Sequence, residues 1–265
     1  MSFQHLRWGG GHAQFFLGLA FLLAGFSGSK GAEPHRGLSD PTEELLQVLC
    51  FRAETPIVID GDPKDAAWER ASALQLTDAV RGEPGRFATM VRILYDRDYL
   101  YLLFTCEDDY AWGTVSDRDG PIWDEECVEV FVNPGEAHHQ YYEINVSPKN
   151  VIYDSVILNN RTPARPDAEF IGFPRWDAAG LKTGVAVEGN LDEPGGVAGW
   201  NAELAIPHSV LFGAANNPPR PGDFWRINFY RIDTPDNGVR EHYAWSATGR
   251  NAFHLPWRFG VLAFQ

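Results

Sequence analysis

The sequence predicts an all-β fold: an antiparallel two-sheet β-sandwich, jelly-roll-like, with few short helices. Three observations carry that expectation. Short runs of β-branched and aromatic residues recur along most of the chain. They are separated by clusters of Gly, Pro, Asn and Asp, drawn from 26 glycines and 18 prolines. Helical periodicity is nearly absent, and many short strands with little helix pack as a sandwich rather than a parallel sheet.

The strands follow in order. Thr89, Val91, Ile93 and Tyr95 alternate with Arg92 and Leu94. A dense apolar run at 99–106 comes after the polar turn Asp96-Arg97-Asp98, so 89–95 and 99–106 form a hairpin. Further strands are expected at 127–132, 140–146, 151–157, 183–188, 199–206, 224–231, 242–245 and 259–264. Asn133-Pro134-Gly135 stops the first of these, and His138 and His139 fall at the hairpin tip that follows. Residues 63–71, with Asp62 as N-cap and Pro63 in the first turn, read as one short helix. Residues 207–212 read as another turn of helix, and residues 159–180 as one long surface loop. Trp68, Trp200, Trp225 and Trp245 sit in patterned segments and belong to the core.

Ahead of the domain the chain changes character. Arg7 precedes an unbroken apolar or small run at 15–26, followed by small residues to Ala32. Twelve apolar residues are too few to span a bilayer and match the core of an export signal. Residues 1–32 are therefore expected to be a cleavable signal peptide, 33–54 a polar linker with a short amphipathic piece at 43–49, and 55–265 the domain. A secreted or periplasmic protein with no membrane span follows from this reading, and a monomer is expected.

The charge and cysteine content narrow the function. Net charge is −14, and removing residues 1–32, which hold two basic residues and no acid, leaves −16. Such a surface repels phosphate backbones, which disfavours nucleic acid and suits a neutral ligand or a bound cation. Of the three cysteines, Cys50, Cys106 and Cys127, at least one must be unpaired. A Cys106–Cys127 bridge is conceivable, but buried thiols are the favoured reading.

Five segments in order resemble the carbohydrate-binding module family 9. They are Pro56-Ile-Val-Ile-Asp-Gly with Trp68, then Leu94-Tyr-Asp-Arg-Asp-Tyr-Leu-Tyr, then Trp123-Asp-Glu-Glu-Cys-Val-Glu-Val-Phe-Val. Gly199-Trp-Asn-Ala-Glu-Leu-Ala-Ile-Pro and the terminal Trp245-Ser with Phe259-Gly-Val-Leu complete the set. The resemblance implies a sandwich in which two aromatic rings clamp a sugar, polar side chains bind its hydroxyls and calcium supports loops. Matched by motif, the rings are Trp123 and Phe253, and Glu129 accepts sugar hydroxyls. Two departures stand out. Phe253 replaces a tryptophan, and Glu143 stands where a sugar-binding arginine would be expected. Asn251, beside the second ring, is a further polar candidate.

The residues themselves fit that reading. A pyranose has apolar C–H faces and a girdle of hydroxyls, so flat rings suit the faces and carboxylates or amides the girdle. Trp123 follows the Gly120-Pro121 turn and precedes three carboxylates, at a loop-to-strand junction. Alternation turns Val128 and Val130 into the core, and Cys127, Glu129 and Phe131 to the other face. Asp60, Asp62 and Asp65 have a spacing that could feed calcium, although a polar turn explains them as well. Asp108 and Asp109 form a second such pair. Three other functions compete with sugar binding. A glycoside hydrolase would draw on Asp124, Glu125, Glu126 or Glu129. A b-type haem domain would use Met90, the one methionine after the initiator. A purely structural surface domain would need none of these residues.

Overall fold

The computed structural model describes residues 45–265 apart from Glu136, so the expected signal peptide and most of the expected linker lie outside the described residues. Among the described residues fourteen strands run in chain order: β1 (Gln47–Arg52), β2 (Ser72–Gln75), β3 (Thr77–Asp78), β4 (Thr89–Tyr95), β5 (Tyr99–Glu107), β6 (Cys127–Asn133) and β7 (Gln140–Val146). They continue with β8 (Ile152–Asn159), β9 (Phe170–Phe173), β10 (Lys182–Gly189), β11 (Val197–Pro207), β12 (Phe224–Asp233), β13 (Glu241–Ala244) and β14 (Gly260–Phe264). Among the described residues helix is confined to single 3-10 turns, including Ala66–Arg70 and His208–Val210, where the sequence predicts helical turns. The first starts later than expected, with Asp65 rather than Asp62 at its N-cap.

The strands form two layers. One sheet, here the site sheet, has the order β1-β14-β12-β6-β7-β8-β9, with β13 and β3 attached beside β12. The other has the order β10-β11-β5-β4, with β2 paired to β4. All of these pairings are antiparallel except those of β1. Its first four residues run parallel to β14 and its last two run parallel to β4, so it belongs to both sheets.

Alternation decides what each face buries. Val91, Ile93, Leu102, Phe104 and Trp200 from one sheet meet Val128, Val130, Ile144, Trp225 and Phe229 from the other in the central core. Burying one such side chain contributes about 1.5–3 kcal/mol, so the facing rows hold the layers together. All four tryptophans expected in the interior are buried. Trp68 packs in a smaller cluster on the outside of the second sheet, with Leu94, Tyr101 and Leu103.

Three expectations need correction. The linker reading of 33–54 fails over Gln47–Arg52, where Val48 and Cys50 point into the core and Leu49 points out. That is the period-two alternation of a strand. The expected loop at 159–180 contains β9, which pairs with β8 from Val156 to Asn159. All three cysteines are buried free thiols, so there is no Cys106–Cys127 bridge.

Candidate functional site

The outward face of the site sheet carries a second cluster of rings and polar groups, roofed by the chain segments before β6 and before β14. Strand register sets its layout. Tyr153 on β8 lies opposite Asn145 on β7, Asn145 opposite Glu129 on β6, and Glu129 opposite Tyr230 on β12. The neighbouring row runs Ser155, Glu143, Phe131, Asn228 through the same four strands. As alternation predicts, Val128 and Val130 face the central core while Cys127 and Phe131 join this outer cluster.

An aromatic ring closes each end of the first row. Trp123, in the 3-10 turn Ile122–Asp124 just before β6, is half-buried and packs edge-on against Tyr153, with ring centroids 4.7 Å apart. Phe253 stacks on Tyr230 at 4.2 Å and 14°. The two rings therefore flank Asn145 and Glu129, separated by three strand spacings, roughly 14 Å between the Tyr153 and Tyr230 backbones. Phe253 is only 8% exposed, so it fills packing space as well as bordering the row. It is not the freely presented ring that the resemblance implies, because Tyr230 covers one of its faces.

The roof is tied down by hydroxyls and amides of the same sheet. Tyr230 donates its hydroxyl to the Phe253 carbonyl at 3.0 Å, and Asn228 Nδ2 reaches the Ser246 carbonyl at 2.9 Å. Asn159 Nδ2 donates to the Tyr141 hydroxyl and to the His254 carbonyl. His254 itself stacks on Phe170 at 3.8 Å, meets Tyr141 through Nδ1 at 2.7 Å, and has Nε2 3.9 Å from Glu143. Burial and nearby Arg161 lower its pKa to about 3, so it is neutral.

The floor between the rings is acidic and short of donors. Glu129 and Glu143 are 3% and 6% exposed. Burial, reinforced by the Glu143 carboxyl, pushes Glu129 well above the ordinary glutamate range. Burial pushes Glu143 up to about 7, against a partly offsetting hydrogen bond from Asn145. Among the described residues Glu129 accepts the Cys127 thiol, at 3.5 Å. Asn145 gives Nδ2 to Glu143 at 3.0 Å, while its buried Oδ1 has no partner.

The remaining sequence candidates lie elsewhere. Asn251 is exposed and lines a surface cavity with Asp78, Arg81 and His242. Asp124 is exposed, and Glu125 accepts the Thr114 and Val115 amides. Of the carboxylates in the Trp123 segment only Glu129 faces this row, and its carboxyl neighbour Glu143 sits on the adjacent strand of the same sheet.

The calcium expectation does not fit the acidic groups as they stand. Asp60, Asp62 and Asp65 do not converge. Asp60 accepts the Asp62 amide, Asp62 pairs with Lys64, and Asp65 accepts the Val58 amide. Their turn serves the fold instead: Glu203 accepts the Asp60 and Gly61 amides and the Trp68 indole. Gly61 has φ +87°, and a Cβ there would lie 2.4 Å from the Ala186 nitrogen. Two other carboxylate groups do converge among the described residues, and each holds its own arginine. Asp108, Glu126 and Asp233 surround fully buried Arg231, whose Nη2 is 2.7 Å from Asp108 and 3.5 Å from Asp233. Asp119, Asp154 and Asp177 surround Arg118, 2.6 Å from Asp154 and 3.1 Å from Asp177. A guanidinium at contact distance compensates the acids and repels a divalent ion. Asp109, the other member of its sequence pair, turns away to Arg86.

Sequence reasoning missed Asn145, Tyr153, Tyr230 and His254. Asn145 was within reach, two residues from Glu143 on one strand and so on the same face. The others enter through register and loop closure, which carry no local signal.

Fold and site together define a class: an all-β sandwich domain with an aromatic and acidic row on the outer face of one sheet. Within that class the chain belongs to the Carbohydrate family 9 binding domain-like family, whose pattern matches residues 59–265. An "Extracellular protein" of Arthroderma benhamiae is 30% identical over 186 residues, covering 66% of this chain and 78% of that one. Endo-1,4-beta-xylanase A of Thermotoga maritima is 26% identical over 224 residues, which span 83% of this chain but 18% of the enzyme. Two solved structures share the fold. A putative carbohydrate-binding protein from Bacteroides uniformis has TM-score 0.65 at 19% identity, with 84% of this chain and all of that one covered. A family 9 carbohydrate-binding module from Caldicellulosiruptor kristjanssonii, solved with cellotriose, has TM-score 0.57 at 15% identity, with 83% and 94% covered.

Proposed function

We propose that this protein is a secreted carbohydrate-binding module, serving polysaccharide or glycan breakdown, that holds a sugar on the outer face of the site sheet between Trp123 and Phe253. One observation carries the reading. A half-buried tryptophan and a second ring close the two ends of a row whose centre is Glu129 and Asn145. Trp123 offers an apolar face for the C–H side of a pyranose, and Glu129, Glu143 and Asn145 accept from its hydroxyls. Family membership and the cellotriose bound to the module from Caldicellulosiruptor support the same ligand class. The apolar segment at 15–26 and the extracellular relative support export.

Binding rather than hydrolysis is the reading the carboxylates favour. A glycosidase needs two carboxyl groups flanking the scissile bond, and Glu129 and Glu143 project from neighbouring strands of one sheet. The xylanase relative does not carry its activity to this chain, because the match spans only 18% of that enzyme.

A glycan array probed with the full chain, followed by calorimetric titration of the best hit, tests the proposal. Sugar hydroxyls exchange water for protein partners at small net gain, so the stacked faces supply much of the favourable energy. The Trp123→Ala variant should bind at least about tenfold more weakly, the equivalent of ~1.4 kcal/mol, and should unfold within a few degrees of wild type. A variant that binds as tightly as wild type would place the sugar elsewhere.

A further inference from the structure

The floor between Trp123 and Phe253 has an unusual balance of hydrogen-bonding groups. Its acceptors are the two carboxyls of Glu129 and Glu143 and the Oδ1 of Asn145. Its donors are few: besides any proton held on a carboxyl, they are the Asn145 amide and the Cys127 thiol. The Asn145 amide is committed to Glu143, and the Cys127 thiol, a weak donor, faces Glu129 at 3.5 Å. Among the described residues no arginine or lysine forms an ion pair with either glutamate, and the nearest basic ring, His254, is 3.9 Å from Glu143. Arg161 is committed at β9, its guanidinium over the Phe170 ring and its Nε donating to the Ala168 carbonyl. Asn145 Oδ1 is a fully buried acceptor without a partner, flanked on its own sheet face by both carboxyls. A buried acceptor left unpaired is costly, and a buried ionised carboxylate without a cation more so.

A neutral sugar answers this floor only in part. Each hydroxyl brings one donor and also two lone pairs, for which this floor offers few donors. A protonated amine brings three donors, no acceptor and a positive charge, and hydrogen bonds from a cation to a carboxylate are roughly twice as strong as neutral ones. A uronic acid would set a third carboxylate against two buried ones.

We infer that this site selects a glycan with a protonated amino sugar, such as a 2-amino-2-deoxyglucose unit, over the corresponding neutral or N-acetylated sugar. The inference rests on the proposed sugar site and names its ligand class. It also predicts proton traffic. Burial disfavours the ionised forms of Glu129 and Glu143, and with Glu143 raised to about 7 the free site is only partly ionised near neutral pH. An ammonium bound between them favours the carboxylates, so binding releases protons to the buffer. The other titratable groups around the row, Cys127, Tyr141, Tyr153, Tyr230 and His254, are all shifted toward their neutral forms and take no part.

The test is calorimetric titration of the full chain near neutral pH with three β-1,4-linked disaccharides that differ only at C2: glucosamine disaccharide, its N-acetylated form and cellobiose. The amine should bind at least about tenfold more tightly than either of the others, with an enthalpy that changes between buffers of different ionisation heat. Glu143→Gln should shrink the amine-to-cellobiose ratio severalfold. Its thermal melt serves as the folding control, and the wild-type comparison stands without it. Cellobiose or the N-acetylated sugar binding as tightly as the amine would overturn the inference and leave the sugar site intact. No binding of the amine would also overturn it, and the glycan array then decides separately whether the face binds sugar at all.

Discussion

Glu143 carries a pH signature that follows from where its strand places it. Its carboxyl is buried, and burial raises its pKa from 4.5 to about 7. A group whose folded pKa exceeds its unfolded one contributes stability that is complete below the unfolded value and lost as pH climbs through the folded one. The wild-type protein should therefore lose stability between about pH 4.5 and 7, by up to roughly 3 kcal/mol from this residue alone. Glu126 and Asp233 are raised in the same sense and steepen the loss. In thermal melts from pH 5 to 8, Glu143→Gln should fall less steeply than wild type. Parallel profiles would show that Glu143 is solvated in the folded protein. The face on which such residues lie was legible in the sequence, because alternation along Cys127–Asn133 separates Val128 and Val130 from Glu129. Their neighbours were not. Tyr230 is about a hundred residues from Glu129 in the chain and is brought opposite it by sheet register alone.

At the scale of elements, β1 has the most unusual role, because it is the strand shared by both sheets. Val48 and Cys50 are fully buried, and β1 hydrogen-bonds in parallel to β14 and then to β4. Removing it opens an edge in each sheet and uncovers part of the central core. A chain beginning at residue 55 should melt at least about 10 °C lower than the full chain or lose its cooperative transition, since a few kcal/mol moves a domain of this size by several degrees. An unchanged melting temperature would mean that β1 is an ornament of the fold. The sequence hid this strand because six residues carry too little alternation to be separated from a polar leader. The four-residue β9 was hidden for the same reason, between turns rich in Pro, Arg and Asp. The long hairpin strands β4 and β5, with their polar turn, were plain.

At the scale of the whole molecule, each of the two convergent carboxylate groups among the described residues holds an arginine, Arg231 in one and Arg118 in the other. The melting temperature should accordingly be the same, within about a degree, in excess chelator and in millimolar calcium. A ligand that binds the native state alone would raise it by mass action, so a clear upward shift with calcium would show that an ion supports the loops despite the arginines. Among the described residues no helix is long and apolar enough to cross a membrane. The sandwich architecture was legible from strand spacing, and the family from five ordered motifs. The site was legible as residue types only, and its arrangement emerged from register. The measurement that bears most directly on the central claim is a crystal structure of the protein with the tightest-binding oligosaccharide from the array. Density for a sugar should lie over Glu129 and Asn145, with a pyranose face against Trp123. A sugar bound elsewhere, with the Trp123 end of the row empty, would contradict the account.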